Sequence, residues 1–178
     1  SEAQPINVQV VALQWRWLFI YPEQNIASVN FIQFPKNTPV NFEITSDAPM
    51  NSLWIPQLGG QIYAMAGMST KLHLMADRVG TFDGSSANLS GQGFAGMKFV
   101  VKSSTKTEFE EWVKKVRGSS NHLTLSNYSQ LSQPNKDSSV KHFSYVESGL
   151  YNDVVMKYMQ PGYRIPTNLY TPKAVGIL

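Results

Sequence analysis

The chain has 178 residues, of which 42% are apolar and 15% are charged, and this composition suits one compact domain with at most a small appendage. A net charge of +3 is too small to indicate nucleic-acid binding, and the lack of cysteine excludes disulfides, zinc fingers and thiol chemistry. Because the sequence has no run of about 18 apolar residues, we expect no membrane span within it.

The first part of the chain has the pattern of short β-strands. Apolar and polar residues alternate in segments 6–21, 39–46, 70–76 and 96–103, and sequences rich in Gly, Pro, Asn and Asp separate these segments. Several short strands at this spacing predict an all-β sandwich or barrel. The alternation within 6–21 changes phase near Val11, which indicates a bulge or a second strand. After this change we expect one shared face made of Leu13, Trp15, Trp17, Phe19 and Tyr21.

The pattern becomes helical near residue 103. Thr105 and Glu108 have the spacing of a capping box, and an apolar stripe follows them at helical spacing. The stripe consists of Phe109, Trp112, Val113 and Val116. We also expect a short helix at about 127–131 and an amphipathic helix that begins at Ser148 as its N-cap. The sequence therefore predicts a β-domain over residues 1–103, followed by C-terminal helices and a tail over 104–178.

Few residues have the arrangement of a catalytic or metal site. His73, His122 and His142 lack a second histidine or a carboxylate at ligand spacing, and we interpret them as surface residues. No carboxylate pair, nucleophile elbow or phosphate loop is present, so we expect no catalytic residue in this chain. The methionines of the β-domain could bind copper through soft sulfur, but core packing is the favoured interpretation in the absence of His or Cys partners. They are Met50, Met65, Met68, Met75 and Met97.

Residues 80–99, GTFDGSSANLSGQGFAGMKF, form a segment rich in glycine and hydroxyl groups, typical of a ligand-binding loop, yet it has no Cys or His. Together with Q-W-x-W at 14–17 and the segment TSDAPMNSLWIPQLGGQIYAMAGM at 45–68, it resembles subunit II of the haem–copper respiratory oxidases. The resemblance is closest to the quinol oxidase branch, which comprises the cytochrome bo-type ubiquinol oxidases and their menaquinol relatives. It covers about residues 6–102, and a looser resemblance to the family's aromatic-rich C-terminal module covers about 122–160.

This resemblance implies a mainly β structure, a cupredoxin-like Greek-key β-barrel or sandwich followed by a small C-terminal helical module. In the cytochrome c oxidase branch this domain holds a binuclear copper centre, with ligands from an upstream His and a C-x-E-x-C-x-x-x-H-x-x-M loop. Carried over position by position, these ligands fall on Asn51, Ser86, Asn88, Ser90, Phe94 and Met97. Only the methionine is retained, so the resemblance implies no metal in this domain. We expect Phe94 and Met97 to fill the space of the copper ions.

The resemblance also implies a location and partners. We expect an extracytoplasmic (periplasmic) domain at the bacterial cell membrane, anchored in the full-length protein by two upstream transmembrane helices. Subunit I, which would hold the haem and copper, and the other oxidase subunits are the expected partners, and cytochrome c is not. Trp15 and Trp17 are candidate interface residues, and a structural role is the other interpretation of both. Two alternatives stay open at this point, an electron-transfer cupredoxin that holds copper and a free periplasmic binding domain.

Overall fold

The computed structural model describes residues 4–48, 51–86 and 97–159, and within them two β-sheets pack face to face. A short 3-10 helix, Pro56–Leu58, follows the sixth strand. The strands in chain order are β1 (Ile6–Ala12), β2 (Trp17–Tyr21), β3 (Ile26–Val29), β4 (Phe31–Pro35), β5 (Val40–Ser46), β6 (Asn51–Ile55), β7 (Gly60–Ala64), β8 (Thr70–Leu74), β9 (Gly80–Ser86), β10 (Lys98–Ser104), β11 (His122–Leu123), β12 (Lys141–Phe143) and β13 (Tyr145–Val146). The helices are α1 (Lys106–Arg117), α2 (Leu125–Leu131) and α3 (Leu150–Lys157).

The two sheets are mixed, and the chain crosses between them several times. The first sheet has the order β12-β3-β2-β1-β5-β8, and the second has the order β4-β10-β9-β6-β7. β1 pairs in parallel with β5, and β10 pairs in parallel with β4, while the other pairs in both sheets are antiparallel. Apolar side chains of both inner faces form the main core, because successive strand residues point to opposite faces. Its largest fully buried side chains are Trp17, Tyr21, Phe19, Phe34 and Phe42.

The phase change in the first segment marks a second strand rather than a bulge. β1 and β2 form an antiparallel pair, with Ala12 opposite Trp17 and a turn over 13–16 between them. Trp17, Phe19 and Tyr21 share the inner face as predicted. The expectation for Leu13 was wrong, because this side chain lies in the turn and packs in a different cluster, on the outer face of the first sheet.

The C-terminal segment covers that outer face. Side chains of α2 and α3, including Tyr128, Leu131 and Leu150, pack on the outward-facing residues Leu18 and Ile20 of β2. Residues after the predicted boundary also contribute to the sandwich itself, since α1 belongs to the main core and β12 extends the first sheet beside β3. The domain boundary between residues 103 and 104 stays a prediction. The described residues after it pack directly on the strands before it.

The helix ends follow local sequence, with one exception. Thr105 caps α1 as predicted, since its hydroxyl accepts a hydrogen bond from the Glu108 N–H at 3.1 Å. The prediction for Ser148 was wrong, because α3 begins after Gly149, whose φ of 76° turns the chain into the helix without a side-chain cap. No helix of the described residues is long and apolar enough to cross a membrane.

Candidate functional site

Connections that follow β1, β3, β5, β7 and β9 lie at the same end of the sandwich, which we call the loop end. The register fixes this arrangement, since Ala12 pairs with Ser46 at the ends of two parallel strands and Asn51 pairs with Ala64 where β6 begins and β7 ends. Residues that are distant in sequence, including part of the predicted copper-like motif, therefore meet at this end.

Three of the six predicted positions lie in the described residues, and the structure brings them together. The Asn51 side-chain amide donates to the Met97 sulfur at 3.0 Å, and the Ser86 hydroxyl donates to the Asn51 side-chain oxygen. The same oxygen accepts from the Ser52 N–H at 2.8 Å. Asn51 and Met97 are 3% and 1% exposed, so this contact is shielded from water. Asn88, Ser90 and Phe94 lie outside the described residues, and the proposed packing of Phe94 therefore stays a prediction.

Hydrogen bonds to the Met97 carbonyl oxygen hold two of these positions, Ser86 and Met97, in place. The Ser86 N–H donates to the Met97 carbonyl oxygen at 3.1 Å, which joins the end of β9 to the residue before β10. The Trp17 indole N–H donates to the same carbonyl oxygen, also at 3.1 Å. Met97 is thus fixed through its main chain by β9 and by an aromatic side chain of the first sheet.

The two tryptophans of the Q-W-x-W motif have different environments. Trp17 has no exposed surface, so it is a core residue, which corrects its prediction as an interface candidate. Trp15 is half-buried in the turn between β1 and β2, and the Lys136 ammonium lies 5.6 Å from the centre of its ring. Trp15 keeps an accessible part at the loop end, and its role at an interface stays a prediction.

The donor atoms at the described positions do not suit a binuclear copper centre. Such a centre needs bridging thiolates and imidazoles, whereas Asn51 and Ser86 offer an amide and a hydroxyl that are weak ligands for soft metals. Their polar atoms are bonded to one another and to Met97. No group of three His, Cys, Asp or Glu side chains within the described ranges is placed to hold a metal ion.

The histidines lie away from this site, and one of them is not a simple surface residue. His73 and His122 are exposed, as predicted. The ring of His142 is half-buried and packs edge-on against Trp112 at 5.9 Å and against Phe31 at 6.3 Å between ring centres. Burial, with the nearby Lys115 charge as a further cause, lowers the pKa of His142.

The methionines also divide into two groups. Met97 is buried as the core interpretation requires, Met65 is half-buried, and Met50 lies outside the described residues. That interpretation was wrong for Met68 and Met75, which are 48% and 55% exposed. An alternating pattern cannot identify such residues, because both lie in or beside connections rather than within a strand.

Sequence reasoning missed a buried carboxylate at the loop end. Asp47 had only the pattern of a turn residue, but its side chain is 3% exposed. It accepts hydrogen bonds from the Tyr128 hydroxyl at 2.5 Å, from the Lys157 ammonium at 2.9 Å and from the Tyr158 hydroxyl. Burial alone would raise the pKa of Asp47, but the bonds from Lys157 and the two tyrosines outweigh it and hold this pKa below its ordinary value.

The fold is shared with a solved subunit of a respiratory oxidase. The crystal structure of the periplasmic domain of subunit II of cytochrome oxidase from Bradyrhizobium japonicum matches with a TM-score of 0.58 at 22% identity, over 62% of this chain and 91% of that one. Together with the mixed two-sheet topology, this match confirms the predicted cupredoxin-like fold.

Two family models match in succession along the chain. The model described as "Cytochrome C oxidase subunit II, periplasmic domain" matches residues 24–104, and the "COX Aromatic Rich Motif" matches residues 117–162. The second range agrees with the aromatic-rich module predicted at about 122–160. The first model describes a periplasmic domain, so this chain lies on the extracytoplasmic side, as predicted.

Curated relatives give the narrower family. Cytochrome bo(3) ubiquinol oxidase subunit 2 of Pseudomonas aeruginosa is 51% identical over 162 residues, covering 91% of this chain and 49% of the relative. Ubiquinol oxidase subunit 2 of Acetobacter aceti is 51% identical over 158 residues, covering 89% and 51%, and quinol oxidase subunit 2 of Bacillus cereus is 40% identical over 148 residues, covering 81% and 51%. The chain therefore belongs to the oxidase subunit II family, in its quinol oxidase branch. It spans about half the length of these relatives.

Proposed function

We propose that this chain is a non-redox accessory domain of a quinol oxidase and that it caps the catalytic subunit on the extracytoplasmic face. The observation that supports this most directly is the bonding among Asn51, Ser86 and Met97 at the loop end. These side chains satisfy one another where an electron-transfer domain would need thiolate and imidazole ligands. The domain would then hold no metal and would carry no electrons.

The names of the relatives support the setting of this role. They are subunits of quinol oxidases, so the complex would oxidise membrane quinol and reduce oxygen to water. The haem and copper of that reaction would belong to subunit I, and upstream transmembrane helices would anchor the full-length protein. Trp15, which is half-buried at the loop end, is the residue we assign to the surface that meets another subunit.

Copper loading tests the absence of a redox centre. We expect the wild-type chain to bind less than one equivalent of copper after desalting and to show no visible absorption. A variant with Asn51→His, Ser86→Cys, Asn88→Glu, Ser90→Cys and Phe94→His should turn purple, because it restores the missing ligands beside Met97. The matched control keeps both serines and carries only the two histidine substitutions, and it should stay colourless because no thiolate is present to bridge two copper ions.

The results separate the alternatives. A wild-type chain that retains stoichiometric copper with a charge-transfer band would overturn the proposal in favour of an electron-transfer cupredoxin. The accessory role is tested separately, by purifying the tagged full-length protein from membranes and recording haem spectra. Co-purified haem and quinol oxidase activity are expected, whereas a full-length protein that purifies alone would favour a free periplasmic binding domain.

A further inference from the structure

The C-terminal segment contacts the connections after β1, β5 and β7 at the loop end. This segment, residues 124–159, begins at the cap of α2 and runs to the end of the described chain, and it lies within the match to the aromatic-rich motif. Besides the pairing of β12 with β3, it forms hydrogen bonds to the connections after β1, β5 and β7. We describe these three contacts in chain order.

The first contact holds the turn between β1 and β2. The Arg16 guanidinium donates to the Leu131 carbonyl oxygen at 2.6 Å, where α2 ends. Arg16 is only 2% exposed, and a buried guanidinium needs acceptors of this kind. The Asn135 N–H donates to the Gln14 carbonyl oxygen at 2.9 Å. The turn that carries Trp15 is therefore bonded on both sides of that residue.

The second contact holds the connection after β5, through Asp47. Its carboxylate binds two tyrosine hydroxyls and one ammonium group, which come from both ends of the segment. Because the carboxylate is 3% exposed, losing these donors would leave a buried charge without compensation. The main chain of Asp47 is fixed from the other side, since its N–H donates to the Ala12 carbonyl oxygen at 2.9 Å.

The third contact holds the connection between β7 and β8. The hydroxyls of Ser69 and Tyr151 lie 2.7 Å apart. Nearby, Gly67 adopts a φ of 75°, and a Cβ added to it would lie 3.3 Å from the Cβ of Tyr158. The glycine thus permits both the turn and the close approach of the segment.

We propose that the C-terminal segment is a clamp on the loop end, bonded at Asp47, that sets the position of the start of β6, where Asn51 lies. The Asp47 N–H bonds to the Ala12 carbonyl oxygen, and Ala12 pairs with Trp17, whose indole N–H bonds to the Met97 carbonyl oxygen. A shift of Asp47 can therefore reach Met97, which contacts Asn51. The clamp is a conformational device of this chain, and it acts whether or not the domain carries a metal. It also gives the aromatic-rich motif a role, which is to order the end of the sandwich that bears Trp15 and the Asn51 network.

Hydrogen exchange of the wild-type chain and the Asp47→Asn variant tests the clamp. The asparagine keeps the shape of the side chain but removes the charge that all three donors share. We expect exchange at the amides of Ser52 and Ser86 to rise about tenfold or more, because both lie at the loop end. The amide of Val101, within the second sheet and away from the loop end, should change by less than about threefold.

Tyr128→Phe removes one donor without burying an unpaired charge, and it keeps the test possible if Asp47→Asn does not fold. It should give a smaller rise at the same amides, and the double variant should show less than the product of the two single effects. Tyr145→Phe is the matched control, because this tyrosine of the same segment is exposed and should leave exchange unchanged. Unchanged exchange at Ser52 and Ser86, or an equal increase throughout the chain, would overturn the proposal.

Discussion

Asn51→Ala is the substitution that tests the loop-end network most directly. The Asn51 side-chain oxygen accepts from the Ser52 N–H and from the Ser86 hydroxyl, and its amide nitrogen donates to the Met97 sulfur. Alanine removes all three contacts in a position that is 3% exposed. The variant also leaves a space beside Met97, which is itself buried.

The expected loss of stability can be estimated from these contacts. A buried donor that loses its acceptor costs about 1–3 kcal/mol. The Ser52 N–H should account for most of the lost stability. The Ser86 hydroxyl should contribute near the low end of that range, because Ser86 has further interactions. We therefore expect the free energy of unfolding to fall by about 2–4 kcal/mol, which is a large part of the roughly 5–15 kcal/mol typical of a domain. For a chain of this size the melting temperature should fall by about 5–15 °C.

Urea unfolding followed by tryptophan fluorescence measures this loss. The transition midpoint should shift without a change in slope, because the unfolded chains expose similar surface. Asn152→Ala is the matched control, since this asparagine is exposed on α3, and its effect should stay within about 0.5 kcal/mol. A loss below about 0.5 kcal/mol for Asn51→Ala would refute the reasoning, because it would mean that the network contributes nothing to the fold.

Three further predictions concern packing and pH. Gly84→Ala should cost about 1–3 kcal/mol in thermal unfolding, because an added Cβ would lie 2.2 Å from the buried Phe99 ring, and an unchanged melting temperature would contradict this. The lowered pKa of His142 means that the folded chain binds its proton less readily than the unfolded chain. The free energy of unfolding should therefore fall as the pH drops from 6.5 to the folded-state pKa. His142→Gln should reduce this dependence of stability on pH, measured by urea titrations at several pH values. The pKa of Asp47 is also lowered, so its contribution to stability is complete above pH 3.8 and is lost as the pH falls through the folded-state pKa. Asp47→Asn should therefore weaken the loss of stability at acidic pH. If the variant loses stability with acid as the wild type does, the acid sensitivity belongs to other groups.

Features set by neighbouring residues could be predicted from the sequence. The alternation of Val40, Phe42 and Ile44 identifies the buried face of β5, because side chains on a strand alternate between its two sides. The cap of α1 at Thr105 is also local, since the hydroxyl and the N–H that it binds are three residues apart. Ser148 had the same kind of signal, but the left-handed turn at Gly149 took its place.

Features that depend on distant contacts could not be predicted in this way. Asp47 and its partner Tyr128 are 81 residues apart, and Arg16 and its acceptor in Leu131 are 115 residues apart. Nothing near either residue indicates a buried charge, because an aspartate in a turn pattern and an arginine at a polar position of an alternating segment are usually on the surface. Their burial follows from the C-terminal segment packing on the outer face of the first sheet, which only the fold establishes.

The second sheet explains physically how three of the positions predicted from the copper-site resemblance come together. Asn51 begins β6, Ser86 ends β9 and Met97 precedes β10, and these three strands are neighbours. The pairing of Leu53 with Ser86 and the bond from the Ser86 N–H to the Met97 carbonyl oxygen bring the three residues together through main-chain contacts alone. These main-chain contacts hold Asn51, Ser86 and Met97 close together without a ligand. The Asn51 amide and the Ser86 hydroxyl, at two of the positions predicted from the resemblance, can therefore bond to each other because the sheet register holds them within reach.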